Sequence, residues 1–395
     1  MSADLLLFYL SIAVLFYCYI GYGILLTFLN GIKYNFIHHK PAMPGAAEPG
    51  ITVIIAAYNE EEVLERKIIN TLSVDYPADK VTIIIITDGT TDNSGTILEK
   101  YTSILWLHQD ERKGKYAAVK RAMQFVKTPF VIFSDANTML NENSFRKIIA
   151  RYSDLSVGGV AGEKRILLNS RMAAVGEAEG LYWQYESFMK RLDAGFYSVV
   201  GAAGELYSIR TNLFKEMDDN LILDDFAISM QVCLQGYKIA YEPGAFATEA
   251  ASYSLKEEQK RKVRIAAGAY QVAGYLKNCL NIFKYPLLSF QYISRRILRW
   301  YVCPLLLIVV FFTNPMLVNR NPGNTFLNLA LGAQLFLYIL AFAGWLLVRS
   351  GKKTGFLGIP FYFVFTNYCL VKGFIQFLNG RQSVLWEKSK RQIVE

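Results

Sequence analysis

The sequence predicts an α/β domain built on a Rossmann-like parallel or mixed sheet, with transmembrane helices at both ends. Three observations lead to that class. Between residues 51 and 135, short runs that are apolar on both faces alternate with helix-like patterns, as the strands of a parallel sheet joined by crossovers do. Leu5 to Leu29 is almost wholly apolar, and at about 1.5 Å of rise per residue a helix of that length crosses a hydrocarbon core of roughly 30 Å. Hydrophobic residues make up 53% of the 395, and the mean hydropathy of +0.22 is high for a chain wholly in water.

The first span occupies residues 1–30. A cleaved leader would need a basic start, a shorter apolar core and a small-residue cleavage site; here the only charge before the run is Asp4, and Lys33 and Lys40 follow it. The positive-inside rule then places the N-terminus outside and the following residues in the cytosol. A linker rich in Pro and Gly, residues 31–50, leads to the first strand, Ile51 to Tyr58. Its end, Asn59-Glu60-Glu61-Glu62, reads as an N-cap and capping box for a helix with Leu64, Ile68 and Leu72 on one face. A second strand, Val81 to Thr87, stops at Asp88-Gly89-Thr90-Thr91-Asp92; a helix from about Ser94 and a third strand, Ile104 to Leu107, follow. The loop Gln109 to Lys115 gathers Arg112, Lys113 and Lys115 around Gly114, and a helix runs on to Phe125. The fourth strand, Phe130 to Phe133, stops at Ser134-Asp135-Ala136-Asn137.

Parallel strands set their carboxyl ends on one rim, where open α/β sheets bind ligands. A D-x-N pair alone also serves to hold a strand-to-turn corner. Acidic ends on three strands around a basic loop describe instead a nucleotide-sized site. Asp135 and Asn137 offer the oxygens that Mg²⁺ or Mn²⁺ takes, and such a cation reconciles acids with a phosphate. The sequence has neither G-x-G-x-x-G nor G-x-x-x-x-G-K-[ST], which argues against a dinucleotide fold and a P-loop. The net charge of +9 suits an anionic ligand or an anionic bilayer of membrane lipids; the basic residues flank apolar segments instead of forming a run, so no nucleic-acid partner is expected. Five scattered cysteines without a C-x-x-C pair read as small apolar residues in a reducing compartment.

The motifs Ala56-Ala57-Tyr58-Asn59-Glu60-Glu61, Asp88-Gly89-Thr90-Thr91-Asp92, Arg112-Lys113-Gly114-Lys115 and Ser134-Asp135-Ala136-Asn137 resemble, in order and spacing, the nucleotide-binding half of family 2 glycosyltransferases. The resemblance continues through Gly201-Ala202-Ala203-Gly204-Glu205, Asp224-Asp225-Phe226 and Arg261-Lys262-Val263-Arg264, covering residues 51–270. It implies a glycosyltransferase A-type sheet and inverting, metal-dependent transfer from a nucleotide-sugar donor, UDP-linked, to a lipid-linked or saccharide acceptor. Residue by residue, it implies nucleotide contacts at Ala57, Tyr58, Glu60, Asp88, Lys115, Asp135, Arg261 and Arg264. A Mg²⁺ or Mn²⁺ ion would sit on Asp135 and Asn137, where Asn137 replaces the family's second Asp. Gly204, Glu205 and Asp224 would meet the acceptor, and Asp225 would be the general base. From the residues alone, Asp224-Asp225 after Leu221-Ile222-Leu223 opens a helix, which either caps it or keeps a basic carboxylate ionised. The small residues Gly201 to Gly204 suit tight packing or a close-lying sugar, and Tyr182, Trp183, Tyr185 and Phe188 read more readily as a core or interface stripe than as a sugar platform.

Toward the C-terminus, residues 280–300 mix aromatics with Arg295, Arg296 and Arg299, as a helix in the cytosolic membrane interface does. Residues 301–380 hold two spans and a third apolar segment, spanning or re-entrant, before a basic tail at 381–395. The expected protein is a multi-pass enzyme of the cell (inner) membrane with a cytosolic catalytic domain. Processive family members carry Q-x-x-R-W where this chain has Arg261, Arg264 and Ile265, which implies addition of one or a few sugars. The rival readings are a processive synthase that secretes its polymer and a non-catalytic membrane protein.

Overall fold

The computed structural model describes residues 2–36, 48–167, 173–380 and 383–385. Most of the linker expected at 31–50 and of the basic tail expected at 381–395 lies outside them. Among the described residues, eight strands form one mixed sheet in the order β3-β2-β1-β4-β7-β6-β8-β5. They are β1 (Ile51–Ala57), β2 (Val81–Asp88), β3 (Leu105–Gln109), β4 (Phe130–Phe133), β5 (Thr138–Leu140), β6 (Val157–Leu167), β7 (Tyr207–Arg210) and β8 (Lys238–Ala250). The first four are parallel, with Ile54 opposite Phe133, Ala57 opposite Thr87 and Asp88 opposite Gln109, so their carboxyl ends share one rim. β7 then runs antiparallel to β4 and to β6, while β8 is parallel to β6 and antiparallel to β5.

Both faces of the parallel half are covered, which is why its strands lack alternation. Ile51, Val53, Ile55 and Ala57 pack with Leu64 and Ile68 of helix α3 (Glu61–Leu72), after α1 (Ala3–Phe16) and α2 (Tyr22–Phe36) of the membrane region. Ile54, Ile84 and Ile86 pack on the other side with Tyr116 and Val119 of α5 (Lys115–Met123), which follows the short α4 (Ser94–Leu98). Each such aliphatic side chain taken fully from water is worth about 1.5–3 kcal/mol. Next come α6 (Ser144–Ala150), the long α7 (Ala173–Phe196), α8 (Asp224–Leu234) and α9 (Leu255–Tyr275).

The capping box expected at Asn59 does not form. Asn59 adopts φ +53° and its side-chain oxygen accepts the Thr91 N–H at 2.8 Å, so it joins two strand-end loops and Glu60 takes the N-cap position. Leu72, expected on the buried face, is exposed, and Lys67 is buried there instead.

Among the described residues, four helical segments are long and apolar enough to cross a membrane: Ala3–Lys33, Pro286–Arg320, Thr325–Arg349 and Gly355–Leu378. Most of their surface is not covered by protein: Phe28, Leu329, Phe336 and Ile339 are all more than 60% exposed, as lipid-facing residues are. The second segment includes most of residues 280–300, read from the sequence as an interfacial helix. Helix α10 (Pro286–Tyr292) passes through a π-helical stretch, Ile293–Val302, straight into α11 (Cys303–Arg320). Its arginines turn to protein instead of headgroups: Arg295 bonds Glu186 at 2.6 Å and Asp193 at 3.3 Å, and Arg299 bonds Glu186 at 2.7 Å. The cost of desolvating these guanidinium groups is offset by close pairing with the buried carboxylates on α7. Tyr22 of the first span also donates to Asp193, at 2.7 Å. After α12 (Thr325–Arg349), the third apolar segment, read from the sequence as spanning or re-entrant, forms one continuous helix, α13 (Gly358–Leu378).

Candidate active site

The rim is assembled by backbone amides that the strand-end acids hold. Asp88, fully buried, accepts the N–H groups of Lys113 (3.1 Å) and Gly114 (2.7 Å), with Arg121 at 3.8 Å. Its carboxylate is therefore spent on shaping the basic loop, and that loop starts α5 at Lys115. The guanidinium of Arg112, from the same loop, stands 3.5 Å from the centroid of the Tyr58 ring. Lys115 in turn bonds Asp135 at 2.6 Å. Burial works against the Lys115 ammonium, but Asp135, Asp224 and Asp225 outweigh it and hold its pKa above the ordinary value.

Asp135 stands on a loop fixed from beneath. Lys67, fully buried on α3, donates to Ser134 Oγ and to the Thr138 carbonyl, both at 2.7 Å. Burial pushes its pKa down to about 7. From above, a Cβ at Gly204 would stand 2.8 Å from Lys115 Nζ and 3.2 Å from Asp135 Oδ1, so only glycine leaves room over the ion pair. Gly201, at φ +85°, gives up the space where the Phe226 ring lies. Phe226 follows Asp225, so the Gly201–Gly204 loop and the first turn of α8 are packed as one unit.

Asp224 and Asp225 occupy that first turn, and neither is the cap: Leu223 holds that position. Asp225 accepts the Phe226 N–H at 2.7 Å. Burial, reinforced by the neighbouring Asp224 and opposed by Lys115, pushes the Asp225 pKa up to about 7. Burial likewise raises Asp224, with Lys115 opposing. A carboxyl poised near neutrality can take a proton at physiological pH and hold it.

These groups open into one cavity of about 1030 Å³. Of the residues expected at the site, Glu60, Lys115, Asp135, Asn137, Gly204, Glu205, Asp224, Asp225, Arg261 and Arg264 line it. Ala57, Tyr58 and Asp88 do not: Ala57 and Asp88 are buried in the rim, and Tyr58 sits under Arg112. At its other end the cavity is lined by Tyr19, Leu337, Phe363 and Leu370 of the membrane helices. Asn137 turns its Nδ2 to Glu249 at 3.1 Å, leaving its amide oxygen for other use. The carboxylate of Asp135 and the amide oxygen of Asn137 are hard oxygen donors that fit Mg²⁺ or Mn²⁺ when a substrate phosphate completes the shell. Among the described residues no three His, Cys, Asp or Glu side chains are grouped to hold a metal. Arg261 is committed to Glu179 at 2.7 Å and to Glu258 at 3.0 Å.

The sequence profile described as Glycosyltransferase like family 2 matches residues 49–268, more than half of the chain. The chain belongs to this family. It is a glycosyltransferase. Curated relatives include poly-beta-1,6-N-acetyl-D-glucosamine synthase of Staphylococcus aureus, 28% identical over 281 residues that span 68% of this chain and 66% of that protein. The protein of the same name from Staphylococcus epidermidis is 27% identical over 263 residues, 62% of each. The chain thus spans slightly less than two thirds of the length of the curated relatives it matches. Among solved structures, a mannosyltransferase from Pyrobaculum calidifontis in complex with GDP-Man and Mn²⁺ covers 95% of this chain and 100% of its own at a TM-score of 0.68 and 18% identity. That neighbour bears out the glycosyltransferase A-type fold.

Several residues in and beneath the site of this glycosyltransferase escape sequence reasoning. Lys164, between Glu205 and Glu249, lies on β6, whose pairing with β8 no local pattern reveals. Trp183 and Lys190 reach the cavity from α7. Trp183 did stand out in the sequence, but as part of a core or interface stripe, and Lys67 left a signal as a charge on the apolar stripe of an amphipathic helix.

Proposed function

We propose that this glycosyltransferase moves a sugar, with inversion, from a UDP-linked donor to a hydroxyl of a saccharide, free or at the end of a lipid-linked intermediate, on the cytosolic face of the cell membrane. One observation carries the reading: Asp225, titrating near neutrality, shares a cavity with the Lys115–Asp135 pair, and that cavity continues between apolar helices.

In this reading the diphosphate of the donor lies on the rim near Lys115, with Glu60, Arg261 and Arg264 at its margins. Asp225 accepts the acceptor's hydroxyl proton as that oxygen bonds to the anomeric carbon and the bond to the diphosphate breaks. A divalent cation held by Asp135 and Asn137 would neutralise the departing diphosphate. Lys115 holds Asp135 in place, and Lys67 fixes the loop beneath it. The burial that raises Asp225 also excludes water that would compete with the acceptor. The names of the staphylococcal relatives support an N-acetylhexosamine donor, and the apolar end of the cavity suits a lipid portion of the acceptor.

The test uses protein purified in detergent, a panel of nucleotide sugars with Mn²⁺, and measurement of nucleotide release and product mass with and without lipid acceptors. Asp225→Asn is expected to keep nucleotide affinity and to lose roughly 10²-fold or more in turnover. Normal turnover in that variant would reduce Asp225 to a structural residue.

A further inference from the structure

Asn137 is held by a residue that no motif of the sequence marks. Its Nδ2 donates to Glu249 Oε1 at 3.1 Å, while its Oδ1 has no hydrogen bond among the described residues and opens to the cavity. Two strand pairings bring Glu249 there. It lies opposite Thr138, the residue after Asn137, where β8 runs antiparallel to β5, and opposite Ile166 where β8 runs parallel to β6. Lys164 stands two residues before Ile166, hence on the same face of the sheet, and its ammonium touches both the other oxygen of Glu249 and Glu205. Glu249 and Lys164 are both buried.

Both oxygens of Glu249 are thus spent on protein, one on Asn137 and one on Lys164. Neither can reach a cation without giving up a partner. A carboxylate beside an ammonium accepts and does not donate, so the end of Asn137 that faces it is the nitrogen end. The amide oxygen is thereby turned away from Glu249, into the cavity that Asp135 also lines. An aspartate at 137 would by itself be the stronger ligand for a hard cation, because it adds a charge. Here it would set a second carboxylate against Glu249 with no proton between them, and like charges that close in a buried place repel strongly. Lys164 offers no relief, since two carboxylates already share it.

The geometry points to Glu249 as a positioning residue for the divalent cation: through one hydrogen bond it presents the amide oxygen of Asn137, and it makes an amide rather than a carboxylate the ligand that suits position 137. The inference rests on the proposed function, which puts the cation on Asp135 and Asn137, and adds to it the residue that decides how Asn137 is presented.

The test reads binding instead of turnover. Mn²⁺ is titrated into the full chain in detergent with UDP present, and free Mn²⁺ is followed by electron paramagnetic resonance in wild type, Asn137→Asp, Glu249→Gln and the double variant. Each single change is expected to raise the Mn²⁺ Kd about tenfold, the low end for disturbing the partner of a metal ligand. The reasons are opposite. Asn137→Asp faces one carboxylate with another. Glu249→Gln turns its new amide oxygen to Lys164 and its nitrogen to Asn137, which then flips and puts its own nitrogen into the cavity. Combining the two changes gives the carboxylate at 137 an N–H to accept from, and the Kd should return to within about twofold of wild type, far from the sum of the single effects. A Kd left unchanged or lowered by Asn137→Asp alone, or single effects that add in the double variant to within about twofold, overturns the positioning role. If the double variant does not fold, judged by its Tm in the same detergent, the direction of the Asn137→Asp change alone decides. Wild-type protein that binds UDP but no Mn²⁺ overturns the cation of the proposed function as well, whereas wild-type binding with additive variants overturns the positioning role only.

Discussion

At the residue scale, Asp225 is where competing forces set the chemistry. Burial and Asp224 favour its neutral form, Lys115 and the Phe226 N–H favour the charged one, and the outcome is a pKa pushed up to about 7. A base works only when ionised, so the expected sign is plain: kcat/KM rises with pH up to about 7 and flattens above it, because that profile reports the free enzyme. A profile already flat from pH 5 to 8 would remove Asp225 from that role. The sequence made Asp225 visible as an acid at a helix start but could not give this value. It depends on Lys115, 110 positions away, and on burial supplied by the whole domain.

At the scale of elements, the parallel half of the sheet was legible because β1, β2 and β4 are apolar on both faces and end at polar residues. The half built from β5 to β8 was not. β6 and β8 carry Gly, Lys and Glu, and their pairing across some 80 residues leaves no periodic trace. A local rule also misled at Asn59, where a tertiary bond to Thr91 displaced the cap. Two elements give predictions. The Gly201–Gly204 loop leaves room for a cation and a phosphate, so Gly204→Val is expected to raise the nucleotide Kd at least tenfold by calorimetry with little change in Tm. An unaltered Kd would show that the space over Asp135 is not used. The second concerns the joint between α7 and the membrane. Burial opposes the charge of Glu186, but Arg295, Arg299 and Arg296 outweigh it and hold its carboxyl well below the usual range. Glu186→Gln leaves buried guanidinium groups without their partner, a loss of about 3–5 kcal/mol. The midpoint of unfolding in detergent mixtures should fall accordingly, and an unshifted midpoint would mean that the network is solvated.

At the scale of the whole molecule, the question is how long a product stays. The staphylococcal relatives are named as polymer synthases, yet the segment where processive family members carry Q-x-x-R-W reads Arg261-Lys262-Val263-Arg264-Ile265 here, and Ile265 lines the cavity. Stacking a sugar on an aromatic face is worth about 0.5–1.5 kcal/mol beyond its area, or roughly two- to tenfold in residence. Two other tryptophans reach the same cavity, but their rings are engaged. Trp183 has Lys164 at 4.6 Å, and Trp300 has Phe226 at 5.4 Å and Arg296 at 5.7 Å. Without an open aromatic face at position 265, the product is expected to leave after one or a few transfers. Donor in large excess over acceptor, with products sized at low turnover, should therefore give short chains spread over most acceptor molecules. Ile265→Trp should lengthen them. Long polymer beside untouched acceptor would instead mean that the membrane helices hold the growing chain by other contacts, and would make this enzyme a processive synthase.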